Sequence, residues 1–308
     1  FCRASRRRGA TSGCSMPAAS SYGSLLAALR GVTWPARRTI RGPAAGTHRS
    51  KQRGVSPEFT EYRPYRQGDD PRRLDWKLLA RTDRAFLRIT NDRATLGTML
   101  LLDASASMAF PLGTQGKWTQ ACRIAIGLAA VAHAAGDPVG ALVAGPGGIA
   151  QLAPRTRRGV VAEAARMLES IAPEGRATLL PALSLVRPAQ RIVLISDFLA
   201  DDHELLRDAR ERIIAGAEIM AVHIVAREEL YPGRAAAIAV DPEAPELKRP
   251  LADETREEYR AAFGAWRAEQ ARAWRDAGAS YFEVPTDEGA DHAIRRLASP
   301  ATAQAGGA

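Results

Sequence analysis

The chain has 308 residues, 46% of them hydrophobic and 25% charged, with a formal net charge of +9. No window approaches the roughly 18 consecutive apolar residues of a membrane-spanning helix, and the first 24 residues lack the apolar core of a secretory signal. Its three cysteines (Cys2, Cys14 and Cys122) have no metal-ligand spacing and are too few for a disulfide framework. We therefore expect a cytoplasmic protein without a membrane span, holding one large domain and an appendage or two modest domains.

The positive charge is concentrated in the first third of the chain. Residues 1–97 contain 20 Lys and Arg against 7 Asp and Glu, whereas residues 98–308 contain 23 against 27. A basic leader followed by a slightly acidic remainder predicts that any general affinity for polyanions belongs to the leader.

Residues 1–48 are rich in Arg, Ser, Ala, Gly and Pro, a composition that buries little apolar surface. We interpret them as a basic, mostly disordered leader with one or two helical turns around Leu25–Leu29. Because the first methionine is Met16, residues 1–15 are a candidate for upstream read-through. A leader of this kind can bind nucleic-acid phosphates without sequence preference, although a solvated tail is the favoured interpretation.

Residues 49–95 form a second segment, in which aromatic and charged residues alternate. We expect it to pack on the edge of a sheet, with Ala85–Thr90 as an edge strand. The side chains expected to be buried are Phe59, Tyr62, Tyr65, Leu74 and Trp76. Its arginines would then pair with its acidic residues. The alternative is a partner-binding surface, of which Asp70 and Arg73 are the most plausible exposed members.

Residues 96–300 alternate strands and helices, the pattern of a parallel sheet covered on both faces, and residues 301–308 form a disordered tail. The predicted strands are Met99–Leu102, Val139–Ala144, Ile149–Ala153, Arg191–Ser196, Glu218–Val225 and Tyr281–Val284. The predicted helices are Lys117–Ala135, Gly159–Ile171, Leu179–Val186, Asp202–Ala215, Asp253–Ala277 and Ala290–Leu297. In the long helix, an aromatic stripe at helical spacing favours core packing. Its members are Tyr259, Phe263, Trp266, Gln270 and Trp274.

A candidate cation site follows the first buried strand. Asp103 ends that strand, and Ser105 and Ser107 come two and four residues later. Sites in covered parallel sheets lie at the carboxyl ends of the strands, which also brings Asp197 to the same rim. A Gly-containing loop that leads into a helix carries Thr178. Carboxylate and hydroxyl oxygens suit Mg²⁺, with Mn²⁺ or Ca²⁺ as alternatives.

This set of residues resembles the metal-ion-dependent adhesion site (MIDAS) of von Willebrand factor A domains. The resemblance implies that Asp103, Ser105, Ser107 and Thr178 hold the ion, and that Asp197 acts directly or through a water molecule. The loop before Thr178 has Arg176-Ala177 where the usual sequence is Gly-Gly.

The segment before the first strand resembles the domain of unknown function 58 family. The matching residues are Gly54, Glu58, Phe59, Arg63, Tyr65, Gly68, Asp69, Asp70, Arg73, Asp75, Trp76, Ala80 and Arg81. The match covers roughly residues 46–245 and continues more loosely to about residue 298. It implies a von Willebrand A-like α/β fold, a mostly parallel doubly wound sheet, in a version without the two N-terminal membrane helices of some members. It also implies cooperation with a MoxR-type AAA+ ATPase.

Together these features favour a non-enzymatic, cation-dependent protein-interaction module in which a partner's acidic side chain completes the shell of the ion. The alternative is a phosphatase-like hydrolase with Asp103 as the nucleophile. That chemistry needs a second Asp two residues on, where this chain has Ser105. The sequence also shows no His beside a nucleophile and no phosphate-binding glycine loop.

Overall fold

The computed structural model describes residues 22–36, 45–49, 59–66, 69, 74–90, 93–111, 116–188, 190–200, 203–232, 238–240, 248–250 and 253–299. The helices within these ranges are α1 (Gly23–Ala28), α2 (Trp76–Thr82), α3 (Lys117–Ala134), α4 (Val160–Glu169), α5 (Leu180–Ser184), α6 (His203–Ile214), α7 (Arg227–Leu230), α8 (Asp253–Asp276) and α9 (Ala290–Ala298). The strands are β1 (Ala45–Arg49), β2 (Phe59–Pro64), β3 (Phe86–Thr90), β4 (Arg93–Ala94), β5 (Thr98–Asp103), β6 (Val139–Gly145), β7 (Gly148–Arg155), β8 (Arg191–Ser196), β9 (Glu218–Val225), β10 (Ile238–Val240), β11 (Lys248–Pro250) and β12 (Ser280–Pro285). No helix among these residues is long and apolar enough to cross a membrane.

A six-stranded sheet in the order β12-β9-β8-β5-β6-β7 forms the centre of the molecule. Every neighbouring pair is parallel except β6 and β7, which form an antiparallel hairpin. β5 lies in the interior of the sheet, between β8 and β6. The predicted mostly parallel α/β fold is therefore confirmed, and the carboxyl ends of β5, β8 and β9 meet at one rim.

The central strands of the sheet are buried on both faces, and β5 shows how the sequence achieves this. Leu100 and Leu102 face the layer that contains α3, α4 and α9. Met99 and Leu101 face the opposite layer, which contains α5 and α6. A strand apolar on both alternations fits only between two helical layers, and each buried side chain contributes about 1.5–3 kcal/mol. The end of β5 is thus held firmly from both sides.

Part of the predicted leader is ordered. Tyr22, Leu29 and Trp34 are buried, and α1 contacts α3 and α9. The Arg191 guanidinium stacks on the Trp34 ring, with its central carbon 4.1 Å from the ring centroid. The same guanidinium donates hydrogen bonds to the carbonyls of Trp34 and Pro35. The one or two helical turns expected around Leu25–Leu29 correspond to α1. The expected disorder does not extend to residues 22–36, because their few apolar side chains complete one face of the core. Residues 1–21, which include the proposed read-through, lie outside the described residues.

The second N-terminal segment differs from the expectation in its pairing. β3 pairs antiparallel with β2 in a separate two-stranded sheet and not with the six-stranded sheet. The expected pairing of charges is seen between Arg63 and Asp69, whose side chains lie 2.6 Å apart. Trp76 is 64% exposed, contrary to the expected burial, because it begins the short helix α2 on its outer side. Tyr62 is also exposed, and its hydroxyl donates to Asp75, which caps α2.

The aromatic stripe of α8 lies partly in the core. Trp274 is buried against Phe198, and its indole belongs to the same apolar layer as α5 and α6. Tyr259, Phe263 and Trp266 are half-buried and stack on one another, with successive ring centroids 5.5 and 5.6 Å apart. Core packing is therefore observed for the end of the stripe, and a ring stack occupies its beginning.

Candidate metal centre

The loop after β5 gathers three oxygen-bearing side chains. Asp103 ends the strand, and a short 3-10 turn over Ala106–Ala109 folds the next residues back over it. The Ser105 N–H donates to Asp103 Oδ1 at 2.8 Å, and the hydroxyls of Ser105 and Ser107 lie 3.0 Å apart. All three side chains are buried. Because Ser105 and Ser107 follow Asp103 by two and four residues, their two hydroxyls lie beside its carboxylate.

A second strand end completes the floor of the site. β8 ends at Ser196, whose hydroxyl donates to Asp103 Oδ2 at 2.7 Å and accepts from the Phe198 N–H at 2.9 Å. Asp197 therefore follows directly beside Asp103. Its Oδ1 accepts from the Leu199 N–H, and Phe198 takes a left-handed conformation at φ +49° to turn the chain away. The sequence did not single out Ser196, although a serine at the end of a parallel strand was a signal that could have found it.

Backbone hydrogen bonds connect the loop that carries Thr178 to the loop that follows β5. The Ala106 N–H donates to the Gly175 carbonyl at 2.9 Å, and the Glu174 N–H donates to the Ala104 carbonyl at 3.0 Å. Gly175 has φ +58°, a left-handed conformation that favours glycine, and a Cβ there would lie 3.1 Å from a side-chain carbon of Pro146. Thr178 is exposed, unlike the other four predicted ligands, and its hydroxyl accepts from the Leu180 N–H at 3.4 Å.

The electrostatics of the site centre on Asp103. Burial and the neighbouring Asp197 carboxylate raise the pKa of Asp103 to about 6, although the hydrogen bonds from Ser196 and Ser105 act in the opposite direction. In the part of the chain that the structure describes, no cationic side chain is paired with Asp103. A positively charged ligand at this position would therefore be strongly favoured.

Two further charged residues belong to the site and were missed by the sequence reasoning. The Lys117 ammonium, at the start of α3, lies 2.7 Å from Asp197 Oδ2 and 2.7 Å from Glu229 Oε1, and its side chain is 1% exposed. The two carboxylates raise the pKa of Lys117 even though burial lowers it, so Lys117 is charged at neutral pH. Partners 80 and 112 residues away along the chain leave no local signal in the sequence.

An apolar cluster supports Asp197 from below. His223, in β9, is paired in register with Ser196 in β8, and its ring packs edge-on against Phe198 and Trp266. Burial lowers the pKa of His223 to about 3, so this side chain is neutral, and its Nδ1 is hydrogen-bonded to the Tyr281 hydroxyl. A neutral histidine in this position does not compensate the charge of the carboxylates.

The donor set fits a hard divalent cation. Among the described residues no group of three or more His, Cys, Asp or Glu side chains is arranged to hold a metal, so any ion here depends on the hydroxyl oxygens. Carboxylate and hydroxyl oxygens are the ligands that Mg²⁺, Mn²⁺ and Ca²⁺ prefer. The candidate partner-binding residues Asp70 and Arg73 lie outside the described residues.

Comparison with known sequences decides the family. The profile described as Protein of unknown function DUF58 matches residues 61–273. The chain belongs to the DUF58 family. Proteins described as uncharacterized from Mycobacterium tuberculosis and Mycobacterium bovis are 30% identical to it over 272 residues, which cover 85% of each chain. The DUF58 assignment made from the sequence is confirmed.

The solved structures similar to this DUF58 protein include one described as a VWA domain. BatB from Bacteroides thetaiotaomicron is 18% identical, with a TM-score of 0.42, and the match covers 65% of this chain and 96% of that one. The SpRpn10 VWA domain is 14% identical, with a TM-score of 0.38, and the match covers 67% and 96%. Proximal thread matrix protein 1 from the mussel byssus, in a structure with a zinc-occupied MIDAS motif, is 12% identical, with a TM-score of 0.34, and the match covers 42% and 38%.

Proposed function

We propose that this DUF58 protein is a non-enzymatic protein-interaction module that binds through a divalent cation, Mg²⁺ in the first instance. The observation that carries the proposal is the pair of Ser105 and Ser107 hydroxyls, 3.0 Å apart, beside the buried Asp103 carboxylate. In this proposal Asp103, Ser105 and Ser107 hold the ion. Thr178 contributes from a neighbouring loop, and Asp197 contributes from another, directly or through a water molecule. The cation neutralises carboxylates that burial otherwise destabilises.

The partner would supply the remaining ligand as an Asp or Glu side chain. An ion held by few protein oxygens keeps positions open for water or for a partner's carboxylate, and a charge-assisted contact of this kind is strong. The surface around the site supports protein binding, because Phe110, Leu199 and Tyr231 are exposed there. Phe110 lies 5.9 Å from the Lys117 ammonium, Leu199 bonds to Asp197, and Tyr231 follows Glu229 by two residues. Exposed apolar side chains close to a candidate site are typical of protein-interaction surfaces.

A MoxR-type AAA+ ATPase is the proposed partner, and a cytoplasmic adaptor or chaperone-like role is the proposed context. Asp70 and Arg73 are proposed as a second contact with that ATPase. This part of the proposal depends on the family resemblance and on the exposed polar segment around α2, whose residues Trp76 and Lys77 face solvent.

Calorimetric titration with MgCl₂ tests the metal site directly. We expect one binding event in the wild-type protein, loss of binding in Asp103→Ala, and loss in Ser105→Ala/Ser107→Ala with the circular dichroism spectrum retained. Ser184→Ala is the matched control, because that hydroxyl donates to the Leu180 carbonyl within α5. Equal Mg²⁺ affinity in the wild-type and Asp103→Ala proteins would remove the site from consideration.

Capture of the ATPase tests the interaction. The immobilised wild-type protein should retain a MoxR-type ATPase in Mg²⁺ and release it in EDTA, and Asp103→Ala should retain none. Retention that is equal for the variant, and equal with EDTA, refutes a metal-bridged mechanism. The same protein should not hydrolyse generic phosphate esters, and turnover that depends on Asp103 would establish the phosphatase alternative instead.

A further inference from the structure

Lys117 and Glu229 form a buried ion pair within the candidate metal centre, and neither residue is one of the predicted metal ligands. Each carboxylate that contacts Lys117 also has a second donor: the Leu199 N–H bonds to Asp197 Oδ1, and the Ala226 N–H bonds to Glu229 Oε2. Lys117 is almost fully buried between them. Burying an ion pair to this degree costs desolvation free energy, so we looked for a role for the pair in the metal site.

The charges of the site are distributed unequally. The cluster contains three carboxylates, those of Asp103, Asp197 and Glu229, and one ammonium group, that of Lys117. Its net charge with all four groups ionised is therefore minus two. Lys117 contacts Asp197 and Glu229, whereas the donors that reach Asp103 from the described residues are the neutral groups of Ser105 and Ser196. A divalent cation beside Asp103 therefore balances the cluster, and it does so without any change in the Lys117 contacts.

The geometry also limits what Asp197 can do for such a cation. Its Oδ2 atom accepts from the Lys117 ammonium at 2.7 Å, so a metal ion bound to that oxygen would sit next to a second positive charge. Its Oδ1 atom is taken by the backbone of Leu199. Direct coordination by Asp197 would require the Lys117 ammonium to move away from Asp197. The Lys117 side chain is only 1% exposed, so it has little room to do so.

We propose that Lys117, neutralised in part by Glu229, is a positioning residue that keeps Asp197 out of direct contact with the bound cation. The ion is then held by Asp103, Ser105 and Ser107, and the positions that Asp197 does not fill stay available to water and to a partner's carboxylate. This inference rests on the proposed function, since it concerns the same metal site. In this inference the buried ion pair determines how many coordination positions of the cation stay available to water or a partner.

The decisive variant is Lys117→Met/Glu229→Gln, which removes the pair but keeps the net charge of the cluster at two negative. Arg157→Met/Glu163→Gln is the matched control, because it removes an ion pair near Arg155, at the opposite end of the sheet from Asp103. Affinities are measured by titration with MgCl₂ and with TbCl₃. The luminescence lifetime of bound Tb³⁺ in H₂O and D₂O gives the number of coordinated waters.

With the pair removed, Asp197 can coordinate directly, and we expect roughly tenfold tighter binding of both ions with about one coordinated water fewer on Tb³⁺. The control pair should change neither quantity. Affinity and water number that are the same as in the wild-type protein, in a double variant with a native circular dichroism spectrum, would overturn the inference and reduce the pair to a structural role.

A second variant keeps the inference testable if the double variant does not fold. Glu229→Gln is nearly isosteric and leaves Lys117 with Asp197 alone, so the positive charge near the cation is no longer shared. We expect Mg²⁺ affinity to fall roughly tenfold. Unchanged affinity in this variant overturns the inference while wild-type binding of Mg²⁺ still supports the proposed function. If the wild-type protein itself binds neither ion, the proposed function fails and the inference fails with it.

Discussion

The raised pKa of Asp103 predicts that the metal-free protein becomes less stable as the pH rises. Its folded-state pKa of about 6 lies above the ordinary value of 3.8, so between these values the native protein binds more protons than the unfolded chain. The stabilisation is complete below pH 3.8 and is lost as the pH rises through 6. The difference in pKa corresponds to about 3 kcal/mol, of which about 2 kcal/mol falls between pH 4.5 and pH 7.5.

The assay is denaturant unfolding of the wild-type and Asp103→Asn proteins in EDTA at pH 4.5 and pH 7.5. Asparagine at this position is neutral at both pH values, and every other titrating group is common to both proteins. The wild-type protein should therefore lose about 2 kcal/mol relative to the variant between the two pH values. A difference between the two proteins that is the same at both pH values would refute the assignment of a buried, destabilised carboxylate.

Magnesium should reverse the effect. A cation that binds the ionised form of Asp103 stabilises the native state at pH 7.5, by about 2.7 kcal/mol at a concentration of 100 times Kd. At pH 4.5 the proton competes for the same carboxylate, so the added stability should be much smaller. Asp103→Asn should show little stabilisation at either pH, which separates binding at this site from general salt effects.

Three further predictions concern the surroundings of the site. Ser196→Ala removes the acceptor of the buried Phe198 N–H and a donor to the carboxylate, and should lower the free energy of unfolding by about 1–3 kcal/mol in denaturant titrations. Trp34→Ala removes the buried indole that stacks on Arg191 and should cost about 3–5 kcal/mol without changing Mg²⁺ affinity, because β8 begins at the end of the sheet opposite the site. Gly175→Ala forces a side chain into a left-handed conformation, and should cost about 1–2 kcal/mol and weaken Mg²⁺ binding in calorimetry.

The parts of the fold that follow a strong local pattern were predictable from the sequence. β8 and β9 have the predicted bounds, and α3 and α8 end within one residue of the prediction. In each case a long apolar or periodic segment is bounded by a turn or charge signal, so local preference and tertiary packing agree. The hairpin of β10 and β11 was not predicted, because two strands of three residues each are too short to show a period.

The candidate site was predictable only as far as its residues lie at strand ends. Asp103, Ser105, Ser107 and Asp197 could be placed on one rim because parallel strands present their carboxyl ends together. Lys117 could not, since its position at the first turn of α3 is equally typical of a solvent-exposed lysine. Only the register of the sheet, together with the short helix α7 that carries Glu229, brings the two carboxylates to it.

The arrangement of charge explains why Asp103 is better understood as a ligand than as part of the scaffold. In the described part of the chain, Lys117 is the buried cation nearest to the cluster, and it is bonded to Asp197 and Glu229. Asp103 is left buried with neutral donors, an arrangement that costs stability at neutral pH and that an uncharged side chain of the same shape would avoid. A carboxylate kept at such a cost is typical of functional sites. If Asp103→Asn is more stable than the wild-type protein at pH 7.5 in EDTA and loses that advantage in Mg²⁺, the cost and its purpose are measured in one experiment.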